Sequence, residues 1–430
     1  MSATLGLTPG WALNRARFDR LGINVIVTRL STHGNNLKKQ RKKNMKRLSL
    51  LFSAVILVSG LLTACQPATS TLKIGLNVEL TGSIPAVGES SQNAAELAVK
   101  EINEAGGLDI GGRKYKIELI VKDNGDKKES AETVTQELLD AGVLAMIGPN
   151  ASRNAIPASE IAEAKKLIMI SPWSTNPQTT LAAAGTSQHK QYVFRAAFID
   201  DFQGTVAAKF ATADLKSKKP AVLYDADSAY NTGIAQVYKQ TLEESGVPVV
   251  AFEKYATGDT DFTKQLEAIQ AAGADSLFLP NYYNEVPLQV KQAHTAGFTG
   301  WFVGSDSWGN LEILSQCGGD CEGAYFTTHY ATDIATPKAQ SFIQAYQAAY
   351  TKTPDDVAAL TYDSFGLLFQ ALQNAGKTES QAVRDALASI TAYEGVTGNM
   401  QFKGTGDPIK SAVVIQIRSG RFAYFQSANP

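Results

Sequence analysis

The chain has 430 residues and is close to neutral, with 40 lysines and arginines against 41 aspartates and glutamates. Because much of the positive charge precedes residue 48, the remainder of the chain is acidic, which argues against a nucleic-acid partner. Beyond residue 64 no apolar stretch is long enough to cross a bilayer.

The first segment, residues 1–44, is basic and shows no clear hydrophobic period. Met45 is followed by Lys46 and Arg47, which is a normal start for an export signal. We therefore expect residues 1–44 to be a non-structural leader that arises from an upstream start site. The alternative, an arm that binds nucleic acid, is difficult to combine with export.

An apolar run of about 15 residues follows the basic cluster and ends in Leu-Thr-Ala-Cys at residues 62–65. This pattern resembles the lipobox of bacterial lipoproteins, which implies a signal peptide over 45–64 and lipidation of Cys65. The polar segment 65–70 is then a tether, and the folded part lies outside the cytoplasm, in the periplasm or at the cell surface. A buried core helix with a chance cysteine is the alternative, and the charge asymmetry disfavours it.

Short β-rich runs alternate with amphipathic runs after residue 70, which predicts α/β architecture with parallel sheets flanked by helices. The first series predicts strands at 72–78, 115–122, 143–147 and 167–170, and helices at 90–105, 131–141 and 156–166. The second series predicts strands at 221–224, 247–255, 276–279 and 301–303, and helices at 233–244, 262–272 and 286–296.

The C-terminal part differs, since the predicted helices 339–350, 358–375 and 381–390 follow one another before a strand pair at 413–417 and 422–425. We interpret this as a return of the chain to the first lobe and a later crossing to the second. The predicted lobes are 71–194 with 329–392, and 195–328 with 393–430. The crossing itself is a hypothesis, because periodicity does not show it.

Two cysteines besides Cys65 occur close together, Cys317 and Cys321, in the sequence Cys-Gly-Gly-Asp-Cys. In an exported protein this pair favours a disulfide that closes a small loop. Two free thiols are the alternative. A zinc site is disfavoured because no histidine lies nearby with ligand spacing.

Polar turns follow two of the predicted strands, at 148–154 and at 171–177. Ligands of open parallel sheets bind at the carboxyl ends of the strands, so these turns are candidates for a site. Ser152 precedes a predicted helix, whose free N–H groups and positive dipole end suit a carboxylate. The alternative is that Ser152 only caps the helix.

The motifs and their order resemble a known family. Gly75–Gly88 contains a strand followed by Leu-Thr-Gly, and residues 94–107 match the family's first helix and the turn after it. Ile-Gly at 147–148, Ser152 and the turn 171–177 follow in matching order. The resemblance is to the branched-chain amino acid (Leu/Ile/Val) substrate-binding proteins of ABC importers. It implies a two-lobed Venus flytrap of the periplasmic-binding-protein type I, with three interlobe crossovers.

The resemblance also implies roles for first-lobe residues. Ser152 matches the family serine that binds the ligand carboxylate. Thr175 matches the threonine that binds the amino-acid head group, with help from the backbone at Trp173. Trp173 itself stands where many relatives have a small residue, and Val87 lies near where relatives place an aromatic ring. The side-chain pocket is therefore expected to be reshaped, and the aliphatic specificity of well-known members should not be transferred.

Three second-lobe residues complete the implied site. Tyr230 and Tyr282 match tyrosines that pack against the ligand, and their rings can cover an ammonium group. Asp306 matches an acidic residue that pairs with the ligand ammonium, which would be costly to bury unpaired. The alternatives are that Asp306 caps a helix at 307–311 and that Tyr282, like Tyr283, is a surface aromatic.

We therefore expect an extracytoplasmic substrate-binding lipoprotein that binds a small amino acid, of branched-chain type or a close analogue, between two lobes that close on it. It is expected to deliver this ligand to an ABC permease, without cofactor or metal. An enzyme is disfavoured because residues 79–85 lack a nucleotide-binding glycine fingerprint and no histidine stands in a catalytic or metal motif. A ligand sensor of the same fold, or a binder of amides, urea or aromatic acids, remains the alternative.

Overall fold

The computed structural model describes residues 70–183, 185–334 and 336–430. The predicted leader (1–44), the predicted signal peptide (45–64), Cys65 and the tether before Ser70 lie outside these residues. Within the part of the chain that is described, no helix has both the length and the apolar character required to cross a bilayer.

A six-stranded sheet forms the centre of the first lobe. Its strands are β1 (Ser70–Val78), β2 (Leu108–Ile110), β3 (Arg113–Asp123), β4 (Ala145–Ile147), β5 (Ile168–Ser171) and β6 (Val193–Arg195). The spatial order is β2-β3-β1-β4-β5-β6, and only the β2–β3 pair is antiparallel. The short, fully buried strands β4 and β5 are typical of a parallel sheet covered on both faces.

Three helices accompany this sheet: α1 (Pro85–Glu104), α2 (Lys128–Asp140) and α3 (Ser152–Lys165). Helix α1 starts before the predicted residue 90, because the fixed φ and missing N–H of Pro85 suit the first helical turn. Gly88 allows α1 to lie against the turn after β1, since a Cβ there would approach the Glu79 carbonyl oxygen to 2.2 Å. This contact fixes the position of the turn that follows β1.

The second lobe begins with α4 (Asp200–Ala213) and continues with alternating strands and helices. The strands are β7 (Pro220–Asp225), β8 (Ala251–Tyr255), β9 (Ser276–Leu279), β10 (Trp301–Gly304) and β11 (Tyr325–Thr328). The helices are α5 (Ala229–Glu244), α6 (Thr263–Ala271), α7 (Val286–Thr295) and the short α8 (Glu312–Cys317). The strand predicted from residue 247 begins at Ala251.

The chain then returns to the first lobe with α9 (Pro337–Tyr350), α10 (Asp356–Ala375) and α11 (Ser380–Ala388). Helix α10 packs against α1, and both α9 and α10 start with a side-chain cap, from Thr336 and Asp355. A small hairpin of β12 (Tyr393–Gly395) and β13 (Gly398–Met400) follows and also contacts α10. The hairpin's contacts with α10 connect it with the first lobe. The lobe boundaries given in the sequence analysis stay a prediction.

The last two strands, β14 (Ala412–Arg418) and β15 (Arg421–Ala428), complete the second sheet. Its order is β15-β14-β11-β10-β9-β7-β8, in which the β15–β14 and β14–β11 pairs are antiparallel and the other neighbouring pairs are parallel. The chain thus passes between the lobes after β6, after β11 and after β13. The predicted α/β class, with two lobes built on largely parallel sheets, is confirmed.

Candidate functional site

A small cavity lies between the lobes, where strands of both sheets end. Its empty space, including the part open to solvent, is about 170 Å³. The first-lobe residues lining it follow β4 and β5, and the second-lobe residues follow β7, β9 and β10, as expected for carboxyl ends of parallel strands. The lining consists of Asn150, Ala151, Ser152, Trp173, Tyr230, Tyr282 and Asp306. Of the predicted ligand-binding residues, only Thr175 is outside this lining.

Ser152 is the first residue of α3 and does not cap it. The N-cap position belongs to Ala151, and no side chain makes a capping hydrogen bond there. The hydroxyl of Ser152 accepts a hydrogen bond from the Ser174 hydroxyl at 2.9 Å, which leaves its own hydrogen free to donate. The helix start therefore presents a hydroxyl donor and a positive dipole end to the cavity.

Glu79 holds the turn before α3 in place, and sequence reasoning did not identify it. This buried carboxylate accepts hydrogen bonds from the backbone N–H groups of Asn150 and Ala151, each at 3.2 Å. It also accepts from the side-chain amides of Asn150 and Asn154, at 2.9 and 3.0 Å. Burial and the nearby Asp126 raise the pKa of Glu79, while the two amides lower it. Its position just after β1 was the signal that could have revealed it.

Asp306 is buried and its carboxylate is surrounded by neutral donors. Oδ1 accepts from the Tyr230 hydroxyl at 2.6 Å and from the Gln203 amide at 2.9 Å. Oδ2 lies 3.2 Å from Nε2 of His329. Asp306 makes no capping bond, because the short 3₁₀ turn Asp306–Trp308 is preceded by Ser305 at its N-cap. Helix capping is therefore not the role of Asp306.

His329 is neutral at neutral pH, because burial lowers its pKa to about 4 despite the neighbouring Asp306. Since a carboxylate only accepts, the neutral ring donates from Nε2 to Asp306. Among the residues described, no lysine or arginine forms an ion pair with Asp306. The carboxylate therefore borders the cavity with hydrogen bonds but without a cationic partner.

Aromatic side chains form the apolar walls of the cavity. The Tyr282 ring centre lies 5.6 Å from that of Tyr230 and 6.0 Å from that of Trp173. Tyr230 also directs its hydroxyl to Asp306, and burial raises the pKa of this phenol so that it keeps its proton. The guanidinium of Arg153 stacks over Tyr282, 4.9 Å from the ring centre. The rings of Trp173, Tyr230 and Tyr282 therefore line the same cavity as Ser152 and Asp306.

Thr175 lies deeper in the first lobe, fully buried beside the start of α4. Its carbonyl oxygen accepts from the backbone N–H of Asp200 at 3.0 Å. Burial raises the pKa of Asp200 well above its ordinary value, and the Thr175 hydroxyl lowers it. Contact of Thr175 with a ligand head group stays a prediction.

Cys317 and Cys321 are joined by a disulfide, with their Cα atoms 5.6 Å apart, at the end of α8 and away from the cavity lining. Within residues 70–183, 185–334 and 336–430, no cluster of three or more histidines, cysteines or acidic residues has the arrangement to hold a metal ion.

Comparison with known proteins gives concordant similarities. Residues 71–421 match the periplasmic binding protein family. A leucine-, isoleucine-, valine-, threonine- and alanine-binding protein of Pseudomonas aeruginosa is 31% identical over 367 residues, which cover 85% of this chain and 94% of that protein.

Solved structures are similar over the same part of the chain. A leucine-binding protein from Thermotoga maritima aligns with a TM-score of 0.77 and 30% identity, covering 84% of this chain and 99% of that one. A branched-chain amino acid transporter substrate-binding protein from Streptococcus pneumoniae, in complex with isoleucine, aligns with a TM-score of 0.76 and 33% identity. That alignment covers 84% of this chain and all of the other, 100%.

Proposed function

The chain belongs to the periplasmic binding protein family, and we propose that it binds an amino acid between its lobes and delivers it to an ABC permease. The resemblance to the branched-chain amino acid substrate-binding proteins is confirmed by relatives and solved structures of that group. The family is one of substrate-binding proteins and not of enzymes. The single observation that carries the ligand class is the buried Asp306 carboxylate, which borders the cavity and has no cationic partner among the described residues.

An amino-acid zwitterion fits this arrangement because it needs donors for its carboxylate and an acidic acceptor for its ammonium. The Ser152 hydroxyl and the start of α3 supply the donors. Asp306 supplies the acceptor, and the rings of Tyr230 and Tyr282 shield both charges from water. A ligand held by both lobes favours the closed arrangement, because only that arrangement makes all of the contacts.

Ligands without an amino group are the second candidate, and they include amides, urea and aromatic acids. They would leave Asp306 buried and without a cation, which is the observation against them. A sensory partner in place of a permease would use the same site, and its ligand chemistry would be unchanged.

The proposal also includes a lipid anchor at Cys65. The lipobox-like sequence at 62–65 supports lipidation of Cys65 and attachment to a membrane on its extracytoplasmic side. We expect Cys65→Ser to release the protein into the soluble fraction or to leave an unprocessed precursor, as seen by fractionation and mass spectrometry. Unchanged membrane association with normal processing would contradict the anchor.

Calorimetric titration with a panel of amino acids tests the ligand assignment. Asp306→Asn keeps the shape of the side chain but removes its charge, and we expect binding to weaken about 100-fold or more. Ser152→Ala should cost less, about 1–3 kcal/mol, because the N–H groups of α3 still hold the carboxylate.

The matched control is Asp320→Asn, in an exposed position of the second lobe, which should bind as the parent does. If Asp306→Asn also binds as tightly as the parent, the ammonium assignment is wrong and a ligand without an amino group replaces it.

A further inference from the structure

The indole of Trp173 forms one wall of the ligand cavity, and a hydrogen bond to Asp356 fixes its orientation. Its Nε1 donates to Oδ2 of Asp356 at 3.2 Å, and the same oxygen accepts from the Thr328 hydroxyl at 3.1 Å. Trp173 is 4% exposed and Asp356 is 2% exposed. Rotation of the indole away from Asp356 would leave a buried donor without a partner, which opposes that motion.

Asp356 is itself fixed in position at the first residue of α10. Its carboxylate packs against Gly309 of the second lobe, where an added Cβ would lie 2.4 Å from Oδ1. Burial, together with Asp355 and Asp306, raises the pKa of Asp356 well above its ordinary value. A protonated or ionised Asp356 can equally accept the indole N–H, so the contact does not depend on its charge.

A second, larger cavity lies on the other side of Asp356. Its empty space, including the part open to solvent, is about 760 Å³, and Asp356 and Thr328 line it together with apolar residues such as Phe326 and Leu314. Of these two cavities, Trp173 lines the ligand cavity and Asp356 lines the larger one. The hydrogen-bonded pair of Trp173 and Asp356 therefore separates the two spaces.

The space on the ligand side of this pair is small. About 170 Å³, which includes the space open to solvent at the mouth, sets an upper limit of roughly six water-sized groups at about 30 Å³ each. The amino nitrogen, α-carbon and carboxylate of an amino acid occupy most of that space. What remains is bordered by the rings of Trp173, Tyr230 and Tyr282, so it suits a short apolar side chain.

We infer that Trp173, positioned by Asp356, restricts the ligand to amino acids with small side chains, of about the size of alanine. This inference rests on the proposed function and specifies its ligand class. Longer side chains such as that of leucine collide with the indole, and overpacking of a close-packed site is unfavourable. Removing the indole bulk opens the route toward the larger cavity, which has room and apolar walls for a longer side chain.

Calorimetric titration of the purified protein with glycine, alanine, valine, leucine and phenylalanine tests the inference. We expect the parent to bind alanine roughly tenfold or more tightly than leucine, since a few methylenes decide such a ratio. The series Trp173→Phe, Trp173→Leu and Trp173→Ala should raise the affinity for leucine relative to alanine in that order. In Trp173→Ala the preference should reverse.

The matched control is Trp301→Ala, because Trp301 is 44% exposed on β10 and lines neither cavity. It should keep the parent's preference for alanine. Thermal unfolding checks each variant, and Trp173→Phe and Trp173→Leu keep the test decisive if Trp173→Ala does not fold.

Two results overturn the inference and leave the proposed function intact. One is a parent that binds leucine as tightly as alanine, and the other is a series whose selectivity does not follow the size of residue 173. Failure of the parent to bind any amino acid would instead overturn the proposed function, and the inference with it.

Discussion

At the scale of single residues, the charge on Asp306 is kept available by neutral neighbours. Tyr230, Gln203 and His329 each direct a hydrogen-bond donor at the carboxylate, and none of them carries a formal charge at neutral pH. These neutral donors orient the buried carboxylate without neutralising its charge. A cationic ligand then completes the pairing that a buried carboxylate requires.

The hydroxyl of Tyr230 allows the role of these hydrogen bonds to Asp306 to be tested. Tyr230→Phe removes a 2.6 Å hydrogen bond to Asp306 and keeps the ring. Because hydrogen bonds to charged groups are worth about 1.5–3 kcal/mol, we expect amino-acid binding to weaken by roughly 10- to 100-fold. Calorimetry measures the change, and Tyr424→Phe on β15 serves as the control. Unchanged affinity would show that Tyr230 does not act through Asp306.

At the scale of secondary-structure elements, the turns after the strands contain the ligand-site residues, and they also contain a partly buried acid outside that site. Glu285, just before α7, lies near the mouth of the cleft in a cavity shared with Arg153 and Asp225. Burial and Asp225 raise the pKa of Glu285 to about 7, while the Tyr255 hydroxyl and Arg153 lower it. The folded protein therefore binds this proton more tightly than the unfolded chain does.

The pH dependence of stability follows from that difference. Unfolding free energy should fall as pH rises from about 4.5 to 7, because the unfolded carboxyl ionises before the folded one. Glu285→Gln cannot ionise, and its amide oxygen can still accept from Tyr255. We expect this variant to be more stable than the parent by about 1–2 kcal/mol at about pH 8, with the difference vanishing below about pH 4.5.

Urea unfolding at several pH values measures this effect. The control is Glu312→Gln, an exposed residue at the start of α8, which should follow the parent at every pH. An equal gain for Glu285→Gln at low and high pH would show that its proton is not responsible.

At the scale of the whole molecule, the lobes touch each other around the cavity. The Asn176 side chain in the first lobe donates to the Ala229 carbonyl oxygen in the second, at 2.9 Å. Asn284 in the second lobe donates to the Ser83 carbonyl oxygen in the first, at 3.1 Å. These direct contacts add to those that a ligand makes with both lobes, so they stabilise the closed arrangement.

Asn284 allows this contribution to be measured, because its side chain is exposed and lines no part of the ligand cavity. Asn284→Ala removes the cross-lobe hydrogen bond, which is worth about 0.5–1 kcal/mol, so amino-acid affinity should fall by about two- to fivefold. Calorimetry gives the affinity, and Asn399→Ala on the exposed side of β13 is the control. An affinity unchanged from the parent would mean that this contact does not contribute to closure.

Much of the fold was predictable because burial of one face gives each element a periodic spacing of apolar residues. The alternation of strands and helices predicted two α/β lobes, and the run of helices after residue 336 predicted the return of the chain. Ends of elements were less accurate: α1 starts at Pro85, and the short strand β2 was not predicted. A three-residue strand is too short to show a period.

The candidate site was predictable where its residues directly follow strands. Ser152, Tyr282 and Asp306 were identified from such positions and from the family resemblance, and the structure gathers them around one cavity. The residues that orient them were missed. Gln203 is 103 residues from Asp306, and Asp356 is 183 residues from Trp173, so no local pattern connects these pairs.

The sequence by itself determined most of the elements, though not, for example, β2, β6, α4 or β11, and the residues at several strand ends, because these depend on side-chain periodicity and turn chemistry within short segments. Only the tertiary structure decided that Ala151 and not Ser152 occupies the N-cap of α3, that neutral donors surround Asp306, and that Asp356 holds the indole of Trp173. Those contacts join segments that are distant in sequence. Periodicity indicates that a side chain is buried, but it does not indicate which residues that side chain contacts.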